Sequence, residues 1–548
     1  MKVIDAVASV LKAEGVQNLS CYPTTPLIDA CTRVGIRPIL CRQERVGVGI
    51  ADGYARISEL GFGVFGMQYG PGAENAFPGV ASAFSDGVPV LFLPTGHPLD
   101  RRQLPPLFSA ARAFSPVTKW GEVITRPSDV AEVMRRAFSA IRNGPPGPVV
   151  VEIPTDVAAA EIPGETLDYA PVSTFHYVAD TGEIDRAVQT LLAARTPVIL
   201  AGQGVLRAKA GPELRLLAEQ LALPVMTTLE GKSAFPEDHP LSVGVASIVA
   251  SDPVIEFMQG ADLVLAVGAS LTRHWTTPRL SASKVIHITV DPRDVNKSVP
   301  ATHGLVGDAK LVLQGMLRAL DDATRTSGRD ARAMEDRIRD RRSAWLKEWR
   351  PKLESDEVPI TPYRVIHDFM QVVKPDDAIV THDSGSPRDQ LLPFYASGIP
   401  NSYLSWGKSH ALGGGLGLAM GAKLAAPEKV CVYFMGDAAF GMTGLDLETA
   451  ARNHIPILAI VFNNSTMAIE VTSLVESHRA YGVRDIGGSY AEIAAALSVT
   501  SRRIRQPEEI IPSLQWGVDE TRGGSPVLLE VITSAETTYA NRGLLVDR

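Results

Sequence analysis

Apolar residues in this chain fall into short, nearly unbroken runs separated by helical patterns. The runs at 149–153, 197–201, 263–267, 285–290, 378–380, 430–435 and 457–462 are rich in Val, Ile and Leu and mostly do not alternate with polar residues. Strands of that kind are buried on both faces, as in parallel sheets covered by helices. The pattern predicts an α/β chain of doubly wound parallel sheets. At the start, Val3, Ile4, Val7, Val10 and Leu11 recur at helical spacing, with Asp5 and Glu14 among them. That predicts an amphipathic helix within residues 1–16, not a signal peptide.

Two stretches lack this rhythm. Residues 154–179 hold scattered Pro, Gly and Thr. Residues 329–362 begin as a charged helix with Arg337, Arg339, Arg341 and Arg342 and end in Glu354-Ser355-Asp356-Glu357-Val358-Pro359. Both read as linkers, and the basic residues of the second as a solvated helix face. They divide the chain near 1–165, 180–345 and 358–548. The first and last thirds look like one fold used twice. Phe62-Gly63-Val64-Phe65-Gly66 runs into a glycine turn, a helix pattern and Pro89-Val90-Leu91-Phe92-Leu93. Val432-Tyr433-Phe434-Met435 runs into Gly436-Asp437-Ala438, a helix pattern and Pro456-Ile457-Leu458-Ala459-Ile460. Upstream, Gly49-Ile50-Ala51-Asp52-Gly53 echoes Gly417-Leu418-Ala419-Met420-Gly421.

Composition narrows the class. Hydrophobic residues are 45% and charged residues 21% of the 548, with a net charge of −8. This is an ordinary globular profile. The negative balance argues against nucleic acid or an anionic membrane as partner. No apolar run reaches the 18 or so residues of a membrane span. Cys21, Cys31, Cys41 and Cys431 show no CxxC spacing and read as buried thiols in a reducing compartment, so the cytoplasm is expected.

The most specific chemical signal is Gly436-Asp437-Ala438, then 24 residues, then Asn463-Asn464. A strand ends before each. A glycine turn there opens a helix whose free N–H groups attract phosphate. Asp437 and Asn464 both fall at carboxyl ends of strands, where α/β sheets place ligands. A carboxylate and an amide oxygen, completed by phosphate oxygens and water, suit Mg²⁺. Each dipeptide alone is common; the pair at this spacing is specific.

At this point the chain resembles the thiamine diphosphate (ThDP) enzymes over essentially its whole length. Gly-Asp-Gly/Ala, about two dozen residues and Asn-Asn is their cofactor motif. The order pyrimidine-binding domain, Rossmann-like middle domain and diphosphate-binding domain also matches. The resemblance is closest to the acetolactate synthase group, with pyruvate, benzoylformate and oxalyl-CoA decarboxylases as relatives. It implies that Asp437, Asn464 and the carbonyl of Thr466 hold Mg²⁺, and that Gly436, Ala438, Ala439 and Met467 lie along the diphosphate. Gly385 and Ser386 match the loop at the diphosphate end. Leu412, counted back from Gly421-Ala422, matches the apolar residue wedged between the two cofactor rings, and His410 lies in the same loop. Glu44, in Arg42-Gln43-Glu44, matches the glutamate that contacts the pyrimidine ring from the partner subunit. A shielded carboxyl there holds or shares the ring proton and so helps the thiazolium carbon lose its own. The implied assembly is a homodimer, or a dimer of dimers, with sites at the subunit interface.

Several positions depart from acetolactate synthases. Thr24 and Thr25 stand where small glycines usually face the substrate. Gln43 replaces a frequent His, and Arg45 a frequent Gln. Glu470, six residues after Asn464, falls where some decarboxylases carry an acid near the reacting carbon. Glu470, Gln43 and Thr25 are therefore candidate substrate-side residues beside Glu44. In the middle third, Gly202-Gln203-Gly204 and Val290-Asp291-Pro292 follow strands. A lone Gly-x-Gly is weak. Relatives hold FAD, ADP or CoA here, or nothing; residues 269–273 match the FAD pattern poorly, so FAD is not expected and ADP or CoA stays open. The expected reaction is 2-oxo acid decarboxylation with carboligation. The alternatives are a 2-hydroxyacyl-CoA lyase or oxalyl-CoA-type decarboxylase, and a non-catalytic ThDP-binding regulatory paralogue.

Overall fold

The computed structural model describes residues 1–546 except 24, 165 and 323–327. Three six-stranded sheets follow one another, and every strand pair recorded in them is parallel. The first holds β1 (Asn18–Cys21), β2 (Arg37–Leu40), β3 (Gly63–Met67), β4 (Val90–Gly96), β5 (Trp120–Val123) and β6 (Val149–Pro154), in the order β2-β1-β3-β4-β6-β5. The second holds β7 (Pro197–Ala201), β8 (Val225–Thr227), β9 (Ser242–Val245), β10 (Leu263–Val267), β11 (Lys284–Thr289) and β12 (His303–Val306), in the order β12-β11-β10-β7-β8-β9. The last holds β13 (Ala378–His382), β14 (Tyr403–Leu404), β15 (Val430–Gly436), β16 (Ile457–Asn463), β17 (Thr500–Ile504) and β18 (Val527–Ile532), in the order β14-β13-β15-β16-β18-β17. Central strands such as β4, β7, β10 and β16 are buried at every residue, because helices cover both faces.

The first and last sheets share one strand order, so the internal echo in the sequence is a repeated topology. The repeat extends to buried polar groups. Glu152 on β6 and Glu530 on β18 occupy the same place in their sheets, and neither is exposed to solvent. Each accepts a backbone N–H at the start of the equivalent helix, from Ala111 at 2.9 Å and from Ala491 at 2.8 Å. The middle sheet has instead the Rossmann order, counted from either edge through the β7–β10 switch.

Equivalent helices join the repeated domains. Glu44–Ile57 follows β2, Gly415–Ala425 follows β14, and the two cross at backbone contact. A Cβ on Gly421 would lie 2.1 Å from the Ile50 carbonyl oxygen, and one on Gly53 2.2 Å from that of Leu418. Only glycine permits that approach. The charged helix Ala331–Leu353 braces the middle domain to the last one. Its Trp345 and Leu353 are buried, and Trp345 stacks on Phe394 with centroids 5.0 Å apart. Its basic side is solvated, as the sequence suggests, and also paired: the exposed Arg337 and Arg341 both pair with Glu256, and Arg342 donates to the Glu237 carbonyl. All four cysteines are buried and free. Among the described residues no helix is long and apolar enough to cross a membrane.

The glycine contact makes a direct test. Gly421→Ala is expected to destabilise the protein by about 1–3 kcal/mol, the usual cost of overpacking, despite alanine's better helix propensity. Gly441→Ala, where a Cβ meets nothing within 4 Å, is expected to be neutral or slightly stabilising. Urea denaturation of both variants measures the difference; equal midpoints would show that the helices can separate without cost.

Candidate functional site

In the last sheet the strand order reverses between β13 and β15, and their carboxyl ends open a crevice. Gly385 and Ser386 follow β13, and Gly436-Asp437 ends β15 and opens the helix Asp437–Thr443. On the neighbouring strand, Asn463 ends β16, so Asn464 and Thr466 stand beside Asp437. The side chain of Asp437 accepts the N–H of Ala438 at 2.9 Å, and the backbone N–H groups of Asn464 and Ser465 lie on the same side and favour its charged form. Its Oδ2 is buried and has no hydrogen-bond partner among the described residues. An orphaned buried carboxylate oxygen is uncommon in a native fold and calls for a missing partner. Burial pushes this carboxyl up to about 6, against the backbone N–H groups that pull it down.

The loop beyond Asn464 is held firmly. Ser465 adopts left-handed backbone with φ of 56°. Asn464 Oδ1 accepts from Thr466 N at 3.1 Å, and the Thr466 hydroxyl donates to Arg484 O. Met467 N donates to Arg484 O at 2.9 Å. Behind them Asn463 Nδ2 donates to Glu530 Oε1 at 2.7 Å, and its Oδ1 accepts from Ser465 N. One carboxylate, one amide and one backbone carbonyl thus stand on neighbouring strand ends; no cluster of three His, Cys, Asp or Glu that could hold a metal occurs among the described residues. The set fits a hard cation that brings phosphate oxygens and water with it. Gly385 has φ of 91° and ψ of −145°, and a Cβ on it would meet nothing within 4 Å, which leaves a cradle at the helix start.

Glu44 is the first residue of its helix and only 3% exposed. Burial raises its carboxyl above the ordinary glutamate range, with Asp446 adding to the effect; a hydrogen bond to the Asn75 side chain works the other way. Gln43 caps that helix and carries a buried Oε1 without a partner among the described residues. The Thr25 hydroxyl is buried and accepts from Leu27 N at 3.3 Å, a local turn contact. Thr24 lies outside the described residues. Glu470 is half-buried at the end of a short 3₁₀ turn, its N–H on Met467 O. Leu412 packs partly buried against the core that Val46 and Ile50 share with the last domain. His410 has left-handed backbone, φ of 40°, and its ring meets Trp275 of the middle domain edge-on at 5.0 Å. Ala439 is buried in the core.

The structure adds residues that the sequence reading missed. The Ser386 hydroxyl bonds Tyr539 Oη at 2.8 Å, so the C-terminal segment reaches the loop that follows β13. Asp383, just before that loop, is fully buried. Its place at a strand end two residues before a glycine was the available signal.

Comparisons with known proteins agree with this geometry. Residues 1–115 match the N-terminal TPP binding domain of thiamine pyrophosphate enzymes, residues 184–316 the central domain and residues 383–531 the C-terminal TPP binding domain. The chain is 32% identical to the probable acetolactate synthase large subunit of Methanocaldococcus jannaschii, over 97% of this chain and 92% of that protein. It is 29% identical to the acetolactate synthase isozyme 3 large subunit of Escherichia coli, over 98% and 96%. It is 30% identical to the acetolactate synthase large subunit of Corynebacterium glutamicum, over 88% and 78%.

The raised Asp437 value has a sign that can be checked. The folded state holds this proton more tightly than the unfolded chain does. The ionised carboxyl therefore costs stability above pH 6 or so, and the cost fades as pH falls towards the ordinary value of 3.8. In protein free of cofactor and metal, Asp437→Asn is expected to raise stability by about 1–3 kcal/mol at pH 8, with the gain shrinking below about pH 6. Denaturation at pH 8 and pH 5 reads it. A gain that does not change with pH would show that the carboxylate is adequately solvated.

Proposed function

The chain belongs to the thiamine diphosphate-dependent enzymes, and from that membership we propose that it decarboxylates a 2-oxo acid and joins the remaining fragment to a second carbonyl, as acetolactate synthases do. The observation that carries this reading is the orphaned Oδ2 of Asp437 beside Asn464 at the last sheet's switch point. In it, Asp437, Asn464 and the Thr466 carbonyl would hold Mg²⁺, which would offset the diphosphate charge. Gly385, Ser386, Gly436, Ala438, Ala439 and Met467 line the diphosphate, and Leu412, with His410 in its loop, supports the rings. When bound, ThDP supplies the electron sink for the bond broken next to the carbonyl. Glu44 holds the proton at the pyrimidine ring nitrogen, a task suited to a carboxyl whose proton affinity burial has raised. Gln43, Thr25 and Glu470 are assigned to the substrate side. Gln43 is best supported, because its buried amide oxygen still seeks a donor.

By the resemblance, Glu44 of one chain would serve the cofactor held by another, so two chains would pair head to tail, each completing the other's site. Exposed Tyr69, Phe77 and Phe84 on the first domain, with Met442 on the Asp437 helix and Leu445 just after it, offer apolar surface for a second copy. A second reading, action on an acyl-CoA, is favoured by a cavity of about 1450 Å³ at the β7–β10 switch of the middle sheet. Gly204, Arg207, Gly268, Arg293 and Lys297 line it, a lining that suits the phosphates of ADP or CoA. Turnover of 2-oxo acids with ThDP and Mg²⁺, with and without CoA, separates the two: a strict CoA requirement would displace the first.

Glu44→Gln is expected to preserve the fold and slow turnover roughly 10²–10⁴-fold; wild-type turnover would remove Glu44 from the chemistry. Mixing inactive Glu44→Ala and Asp437→Ala chains under exchange is expected to restore part of the activity, since a mixed dimer holds one intact site. No recovery despite verified exchange would contradict the shared-site assembly.

A further inference from the structure

We infer that Asp383 is a positioning residue: its buried carboxylate locks together the two loops of the last domain, residues 384–386 and 411–415, that flank the cofactor seat. The inference rests on the proposed seat of ThDP. Asp383 follows β13 directly and is 0% exposed. Its Oδ1 accepts from Ser384 N at 2.8 Å and Gly413 N at 3.0 Å. Its Oδ2 accepts from Gly413 N at 3.1 Å, Gly415 N at 3.3 Å and Tyr433 Oη at 2.5 Å. Three backbone amides and one phenol thus share a single carboxylate across a gap of about thirty residues of sequence.

The grip falls where it controls the wedge. The Gly413 N–H belongs to the peptide that links Leu412 to Gly413. On the other side of that residue, the Gly413 carbonyl accepts from Thr443 Oγ1 at 3.1 Å. Gly413 has φ of 87°, and a Cβ there would lie 2.7 Å from the Thr443 side chain, so the backbone has little freedom. At its other end, the carboxylate sits next to Ser384, which leads into the open cradle of Gly385. The charge has a counterpart in the other domain: Arg45, adjacent to Glu44, is half-buried and feels the Asp383 carboxylate and Tyr433. One buried acid therefore ties residues 384–386 and the Leu412–Gly415 loop into one preformed surface. A buried charge satisfied by several donors is costly to break and fixes its partners closely.

The test uses the full-length protein, titrated with ThDP at saturating Mg²⁺ and read by tryptophan fluorescence. Trp406 suits this, because its ring lies 3.2 Å from the Cβ position of Gly414. Asp383→Asn keeps the volume but turns an N–H₂ towards backbone donors. It is expected to weaken ThDP binding about 10–100-fold, as removal of a supporting residue does, with activity partly restored at saturating ThDP. Tyr433→Phe removes one donor only and is expected to weaken binding a few-fold in the same direction; it decides the matter if the Asn variant does not fold. Asp437→Ala is run in parallel. If it binds ThDP as the wild type does, the seat itself is misplaced and this inference falls with it. If Asp437→Ala loses ThDP while Asp383→Asn and Tyr433→Phe keep wild-type affinity, the seat stands and the positioning role of Asp383 is overturned.

Discussion

The architecture depends on two helices that touch backbone to backbone. Gly49 and Gly53 on one and Gly417 and Gly421 on the other remove every side chain from the crossing, and each prospective Cβ would lie 3.0 Å or less from a backbone atom of the partner helix. Each helix also leads away from a candidate cofactor element. Glu44 opens the first, and the Leu412–Gly413 loop precedes the second. Holding the helices in contact fixes the first and last domains as a rigid pair and sets the distance between those elements. A side chain at the crossing would move Glu44 and the Leu412–Gly413 loop at once.

A second regularity is the use of buried carboxylates on or just beyond the strands. Glu152 and Glu530 hold helix starts in the two copies of the repeated domain. Glu530 also steadies Asn463, and through it the loop that carries Asn464. Asp383 joins two loops, while Asp437 keeps one oxygen without a protein partner. The chemistry of the group is the same in each case and the outcome depends on its donors. Where the protein supplies enough of them, the acid is structural; where it withholds one, the acid is left to bind something else. Asp437 thus carries an unmet electrostatic demand that a cation would satisfy.

The sequence made the long buried strands legible. The runs at 197–201 and 263–267 coincide with β7 and β10, and others differ by a residue or two at their ends. Less legible were β2, β5, β14 and β17, because edge strands are short or partly solvated and carry polar residues, as in Thr500-Ser501-Arg502-Arg503-Ile504. The motif residues Asp437 and Asn464 were readable because strand ends and a glycine turn mark them locally. Asp383 and Tyr539 were not, since their meaning lies in contacts 30 and 153 residues away in sequence.

Sequence alone determined the α/β class, the repeated domain, the spacing of the cofactor motif and the presence of an acid at position 44, because each is written in local periodicity or in residues a few positions apart. Tertiary structure decided the rest. Strand order, the glycine crossing, the cavity that all three domains line and the burial that raises the Glu44 and Asp437 carboxyls all follow from which distant segments pack together. Desolvation is a property of surroundings rather than of a residue type. The same aspartate is an ordinary acid in the chain and acquires a buried, partnerless oxygen and a raised proton affinity only when β15 and β16 close around it.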